Sequence, residues 1–167
     1  IKKMYSDKVK AIVYPHLFGY MSETKEIIEF CKEKQIAFIE DAAQSLGASL
    51  HGVKAGSIGD ISTLSFNANK VVAGIAGGGA VCTDDEEKAK MFKKLRKHGE
   101  GEMLGYNSKM LLMNAEFINF RLSKMKEWQQ KRQEIAKMYD EQLQEYVTIQ
   151  PTTNGLDHNY HKYVIRL

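Results

Sequence analysis

The pattern that most constrains this chain is a buried strand, a helix and a second buried strand within about 30 residues. The first strand is the apolar, β-branched run Lys10–Tyr14, which Pro15 ends, and the second is Ile36–Ile39. The apolar residues at positions 27, 28, 30 and 31 follow helical spacing between them. Fully apolar strands joined by a helix pair in parallel and lie between helical layers. The sequence therefore predicts an α/β fold with a mainly parallel sheet.

An acidic residue follows the second strand at a position where ligands commonly bind. The strand ends in Glu40-Asp41, and His16 follows the first strand. In open parallel sheets, ligands bind at the edge formed by the carboxyl ends of the strands. Asp41 is therefore a candidate site residue, and the alternative is that it caps a short following helix.

A single lysine lies in an uncharged, glycine-rich stretch after a third strand, Ile61–Phe66. Lys70 is the last charged residue before Asp84. Such isolation is unusual because surface lysines lie among polar neighbours. Burial lowers the pKa of a lysine and makes its amine a nucleophile, so we expect Lys70 to form a Schiff base with a carbonyl cofactor. The alternative is a lysine whose ammonium group simply reaches solvent from a loop.

Composition and missing motifs exclude several other classes of function. The 24 basic and 21 acidic residues are nearly balanced and scattered, which does not favour nucleic-acid binding. No run is long and apolar enough to predict a membrane span, and the first residues do not form a signal peptide. The two cysteines indicate reduced thiols and a cytoplasmic location. Neither a metal site nor a nucleotide-phosphate loop is predicted, because His158 and His161 lack further ligands and Gly77–Gly79 precedes a strand.

Three candidate residues at strand ends match the needs of pyridoxal 5'-phosphate (PLP) chemistry. A lysine must bind the aldehyde carbon, a carboxylate must keep the pyridine nitrogen protonated, and a hydroxyl must help to hold the phosphate. Lys70, Asp41 and Ser65 supply these groups in turn.

The second half of the chain is mainly helical. A helix capped by Asp84-Asp85 is predicted to reach Lys97, one amphipathic helix is predicted from Asn114, and a second from Trp128 to Tyr146. Residues Tyr160–Leu167 have a strand pattern. We predict a portion of a large domain over residues 1–113, linking helices over 114–146 and the start of a small domain over 147–167. Because the chain opens without methionine and closes within a strand pattern, we interpret it as a segment of a longer protein.

Taken together, the motifs resemble those of the DegT/StrS family of PLP-dependent sugar-nucleotide aminotransferases, which have the type I fold. The resemblance covers nearly the whole chain. It is carried, in order, by His16-Leu-Phe-Gly19, Glu40-Asp-Ala-Ala-Gln44, Gly59-Asp60, Ser65-Phe66 with Lys70, Gly77-Gly-Gly79 and Gly105-Tyr-Asn107.

The resemblance implies a fold, a reaction and a set of site residues. The fold would be part of the large PLP-binding domain, followed by the start of a small C-terminal α/β domain. The reaction would move an amino group from an amino acid, glutamate in our expectation, to a nucleotide-linked keto sugar. Lys70 would carry the cofactor, Asp41 would pair with its ring nitrogen, Gln44 would lie beside the ring, and Ser65 would bind its phosphate. Asn107 would reach the phosphate of the neighbouring subunit's cofactor, making a homodimer with shared active sites, and His161 would lie near the substrate.

Departures from the family pattern concern the substrate rather than the cofactor. Gly78 stands where many members have an acidic residue, Lys109 where arginine is usual, and Leu46 where histidine often occurs. The family's N-terminal part, which supplies further cofactor contacts, has no counterpart here, so we expect the segment alone to be inactive. Two alternatives stay open: a non-catalytic or regulatory PLP-binding relative, and a plain α/β domain without a cofactor.

Overall fold

The structure, a computed structural model, describes residues 1–167. Its strands are β1 Ala11–Pro15, β2 Ala37–Asp41, β3 Ser49–Leu50, β4 Val53–Lys54, β5 Ile61–Ser65, β6 Gly79–Cys82, β7 Thr148–Ile149, β8 Leu156–Asp157 and β9 Ile165–Arg166. Its α-helices are α1 Lys25–Lys34, α2 Glu86–Leu95 and α3 Leu112–Leu143, and 3-10 turns lie at Lys2–Met4, Leu17–Gly19 and His98–Gly101. No helix is both long enough and apolar enough to cross a membrane.

The main sheet has the predicted parallel core. Its strand order is β1-β2-β5-β6, with β1–β2 and β2–β5 parallel and β5–β6 antiparallel. Asp41 at the end of β2 pairs with Pro15 of β1 and with Thr63 of β5. The carboxyl ends of the three parallel strands therefore meet at one edge, which confirms the mainly parallel α/β sheet.

The antiparallel return of β6 closes the loop that carries Lys70. Ser65 at the end of β5 pairs with Gly79 at the start of β6. Within the loop, the Phe66 amide donates to the Gly78 carbonyl at 2.8 Å, and the Gly74 amide donates to the Phe66 carbonyl at 2.8 Å. Loop 66–78 is therefore fixed at both ends.

One continuous helix replaces the two helices predicted over residues 114–146. Helix α3 runs unbroken for 32 residues, because no glycine or proline interrupts it. Its first turns pack against the Lys70 loop: Ile118 forms a core cluster with Phe66 and Val72. The predicted helix to Lys97 ends earlier, at Leu95, and Asp85 caps it by accepting bonds from the amides of residues 87 and 88.

The C-terminal segment contacts the first half of the chain and is less regular than predicted. Only Ile165–Arg166 of the predicted strand 160–167 forms a strand, which pairs with β7. Tyr160 has a φ of 47°, which an extended strand does not allow. Strand β8 pairs with β3, next to an apolar cluster that includes Met21, Ala42 and Ala48.

Candidate active site

One face of the sheet edge presents a carboxylate and two hydroxyls. Thr63 Oγ1 donates to Asp41 Oδ1 at 3.5 Å, and the Ala43 amide donates to the same oxygen at 3.0 Å. Ser65 lies two residues beyond Thr63 and therefore on the same face. The residues that follow Asp41 form turns, not a helix, so Asp41 caps a turn through Oδ1 and keeps Oδ2 without a partner.

The opposite face of the same strand holds a buried carboxylate. Glu40 is fully buried and accepts bonds from Ser62 Oγ at 2.8 Å, from the Gly56 amide at 2.7 Å and from the Ile58 amide at 3.1 Å. His16 Nε2 lies 3.3 Å from Glu40 Oε1. Burial by itself would raise the pKa of Glu40, but these donors together lower it below its usual value. Glu40 therefore links β2 to β5 and to the turn that precedes β5, on the face of β2 opposite to that of Asp41.

Lys70 presents an ammonium group without a partner. Its side chain is half-buried and forms no hydrogen bond or ion pair, while its amide donates to the Asn67 carbonyl at 3.0 Å. Asn114 of α3 supports the same loop from below, since its Nδ2 donates to the Gly77 carbonyl at 2.8 Å and its Oδ1 accepts from the Ala76 amide at 3.3 Å. The loop therefore holds the lysine backbone and leaves its amine free.

A cavity of about 350 Å³ opens beside Lys70. His161 lines it together with Arg121, Trp128 and Arg132. The pKa of His161 is lowered, first by burial and then by the nearby charges of Lys70, Lys162 and Arg132, so the neutral imidazole is favoured there. The structure thus places Lys70 and His161 in the wall of one cavity.

A buried asparagine that sequence analysis missed connects Gln44 with His161. Asn159 is fully buried, and its Nδ2 donates to the carbonyls of Gln44 at 3.0 Å and Leu46 at 2.9 Å. Its Oδ1 accepts from the His161 amide at 2.7 Å. The Gln44 side chain in turn accepts from the Phe18 amide at 2.8 Å through Oε1. Gln44 therefore lies at the junction of the sheet edge and the C-terminal segment.

Asn107 lies apart from the other predicted site residues. It is exposed and forms an isolated bridge with Lys97, and its side chain has no hydrogen bond. Its expected role toward a second subunit stays a prediction.

The groups at the sheet edge fit PLP in their chemistry. Asp41 Oδ2 is free to accept from a protonated ring nitrogen, and Lys70 Nζ is free to bind the aldehyde carbon. Ser65 Oγ accepts from the Asn67 amide at 3.4 Å, and its own hydroxyl proton has no acceptor, so it is available to a phosphate oxygen.

The sequence of the whole chain matches one family of enzymes. The model of the DegT/DnrJ/EryC1/StrS aminotransferase family matches residues 1–167. The chain is 31% identical over 173 residues to dTDP-3-amino-3,6-dideoxy-alpha-D-galactopyranose transaminase of Aneurinibacillus thermoaerophilus, covering 100% of this chain and 48% of that protein. It is also 31% identical over 175 residues to a pleiotropic regulatory protein of Geobacillus stearothermophilus, covering 99% of this chain and 47% of that protein. The chain thus spans about half the length of these curated relatives.

Solved structures show the same fold. PseC of Helicobacter pylori, an aminotransferase involved in the biosynthesis of pseudoaminic acid, superposes with a TM-score of 0.93 at 28% identity, over 99% of this chain and 47% of that one. DesV of S. venezuelae superposes with a TM-score of 0.93 at 27% identity, over 99% of this chain and 46% of that one. The expected type I aminotransferase fold is thereby confirmed.

Proposed function

Because the chain belongs to the DegT/DnrJ/EryC1/StrS aminotransferase family, we propose that the protein transfers an amino group from an amino acid to a nucleotide-linked keto sugar. The donor in this proposal is glutamate. Support for the acceptor comes from relatives whose names describe transaminases of dTDP-linked sugars.

Aminotransferases of this family depend on PLP, and PLP, when bound, supplies an electron sink that allows a proton to leave the α-carbon of an amino acid. In this chain, Lys70 Nζ would hold the aldehyde carbon, Asp41 Oδ2 the ring nitrogen and Ser65 Oγ the phosphate. Gln44 would lie beside the ring, and its contact with the Phe18 amide fixes its direction.

The observation that carries the proposal is the free amine of Lys70. No acidic group neutralises it, although the chain has 21 acidic residues, and it lines a cavity large enough for a small organic substrate. An amine in this position is able to take a proton from a substrate carbon at Nζ and to return it to a neighbouring carbon. Asp41 would face the ring nitrogen with its carboxylate, which Thr63 and the Ala43 amide orient.

The test uses the intact protein, since the chain spans about half the length of its relatives. We expect the purified protein to absorb visible light through its cofactor, and borohydride reduction to attach that cofactor to the peptide that contains Lys70. Lys70→Ala should lose both properties and all amino transfer from glutamate to nucleotide keto sugars. Lys54→Arg, at an exposed lysine, is the control and should keep them. A colourless parent protein, or a Lys70→Ala variant that still transfers amino groups, would contradict the proposal.

We also propose a homodimer in which Asn107 completes the site of the other subunit, supported by its exposure and free side chain. Lys70→Ala and Asn107→Ala would each be inactive alone. Mixed in equal amounts and reassociated, they should recover about a quarter of the parent activity, because half of the dimers are mixed and each mixed dimer has one intact site. Recovery of no activity would argue against shared sites.

A second candidate function is regulatory: the protein would bind PLP without catalysing amino transfer. This candidate is favoured by one similar protein, which is named a pleiotropic regulatory protein. This function predicts cofactor uptake through Lys70 without turnover. A panel of nucleotide keto sugars offered with glutamate separates the two: pyridoxamine phosphate and an amino sugar form only if the protein is an enzyme.

A further inference from the structure

The cavity beside Lys70 is lined by basic side chains that, apart from Lys70 itself, have no part in the proposed cofactor contacts. Lys70, Arg121, Arg132 and His161 line it with Trp128, and no acidic residue does. Neither arginine is part of an ion pair within the chain. Cationic groups that face one cavity repel each other unless an anion lies between them.

Arg121 is held in place by aromatic rings and has an unused donor. Its guanidinium carbon lies 4.9 Å from the centre of the Trp128 ring and 5.7 Å from that of Phe117. Its Nε is buried and has no hydrogen-bond partner. A buried guanidinium N–H without an acceptor is costly, and stacking restricts the fork to a few orientations.

Arg132 also has an unused donor. It lies one turn beyond Trp128 on the same helix. Its Nε donates to the Asn159 carbonyl at 2.7 Å, while its Nη2 is buried without a partner. Burial lowers the pKa of Arg132, because its charge is partly removed from water. Two preoriented guanidinium groups are a common protein arrangement for binding carboxylate or phosphate.

From this geometry we infer that Arg121 and Arg132 bind the carboxylate of the amino donor in the cavity beside Lys70. The inference rests on the proposed aminotransferase function and adds to it the residues that bind the α-carboxylate of the donor. The α-carboxylate is bonded directly to the carbon at which Lys70 Nζ moves the proton, so it lies close to Lys70. The diphosphate of a nucleotide sugar is separated from the reacting keto carbon by several bonds of the ring, which places it farther away. Trp128 stacks on Arg121, so we expect its fluorescence to change when an anion occupies the cavity.

The test uses the emission of Trp128, the single tryptophan of the described chain, in the intact protein. Any further tryptophan of the intact protein is first replaced by phenylalanine. Glutarate, a dicarboxylate without an amino group, is titrated without turnover, and inorganic pyrophosphate is titrated separately. We expect saturable binding of glutarate, weakened about tenfold or more in Arg121→Gln, because a charge-assisted pair is lost. Arg96→Gln removes one exposed arginine outside the cavity and should bind glutarate like the parent.

Steady-state kinetics give the second readout. Arg121→Gln should raise the KM for glutamate about tenfold and leave the KM for the nucleotide sugar within about twofold. Arg121→Lys, which keeps the charge but loses the fork, should have a KM for glutamate between those of the parent and Arg121→Gln. Thermal unfolding shows whether each variant is folded.

Tighter binding of pyrophosphate than of glutarate, with the same dependence on Arg121, would overturn the carboxylate assignment. Unchanged binding and KM in a folded Arg121→Gln would overturn the site itself. If the parent transfers no amino group, the proposed function fails, while the titration still tests the anion site.

Discussion

Replacing Asn159 by alanine tests whether one buried side chain joins the sheet edge to the C-terminal segment. The side chain has three contacts, two donated to the carbonyls of Gln44 and Leu46 and one accepted from the His161 amide. Those partners are separated from it by 115, 113 and 2 residues along the chain. Alanine would remove all three contacts and leave two part-buried carbonyls and one part-buried amide without this partner.

The expected cost follows from these contacts. A net contribution of about 1 kcal/mol for each hydrogen bond gives about 3 kcal/mol for the three together. The Arg132 contact survives, because it uses the Asn159 backbone carbonyl. Asn159→Asp keeps the acceptor but loses both donors, so it should cost about as much as the alanine variant.

The assay is equilibrium unfolding in urea of the intact protein, followed by far-UV circular dichroism. Asn154→Ala, in an exposed turn five residues earlier, is the matched control and should change the free energy of unfolding by less than about 0.5 kcal/mol. A loss for Asn159→Ala below about 1 kcal/mol would refute the claim that this side chain connects the two parts.

Two further predictions concern Gly19, which lies beside Asn159, and the buried Glu40. Gly19 has a φ of 92°, and a Cβ there would overlap Asn159 Oδ1, whereas Gly52 has a φ of 82° with nothing within 4 Å. Gly19→Ala should therefore destabilise the protein by about 2 kcal/mol more than Gly52→Ala in urea unfolding, and equal losses would exclude the overlap as the cause. The folded-state pKa of Glu40 lies below its ordinary 4.5, so its carboxylate contributes stability above pH 4.5 that is lost as the pH falls through the folded value. The difference in unfolding free energy between the parent and Glu40→Gln should therefore be largest near neutral pH and shrink on acidification, and a difference that does not change with pH would contradict this assignment.

Local patterns were sufficient to predict the sheet edge. Apolar runs and their ends predicted that Asp41 ends a strand and that Lys70 lies in the loop after another, because strand length and the parallel connection depend on neighbouring residues. The acidic N-terminus of α2 was also predicted, since a cap acts within a few residues.

Long-range contacts could not be predicted in this way. Asn159 was missed because its partners lie more than 100 residues away in the chain, and no local pattern marks them. Arg121 did have a signal: Phe117 and Trp128 lie four residues before and seven after it, which places all three on one helix face. The break predicted near Trp128 was wrong because a change in apolar spacing does not end a helix that lacks glycine and proline.

The closed loop 66–78 has a consequence for the rate of the proposed reaction. Hydrogen bonds between Phe66, Gly74 and Gly78, and the support of Asn114, fix the backbone around Lys70 before any ligand arrives. Only the four side-chain torsions of the lysine stay free. The backbone around Lys70 therefore loses its freedom during folding, and in the proposed reaction each turnover would begin from an amine already confined to a small volume.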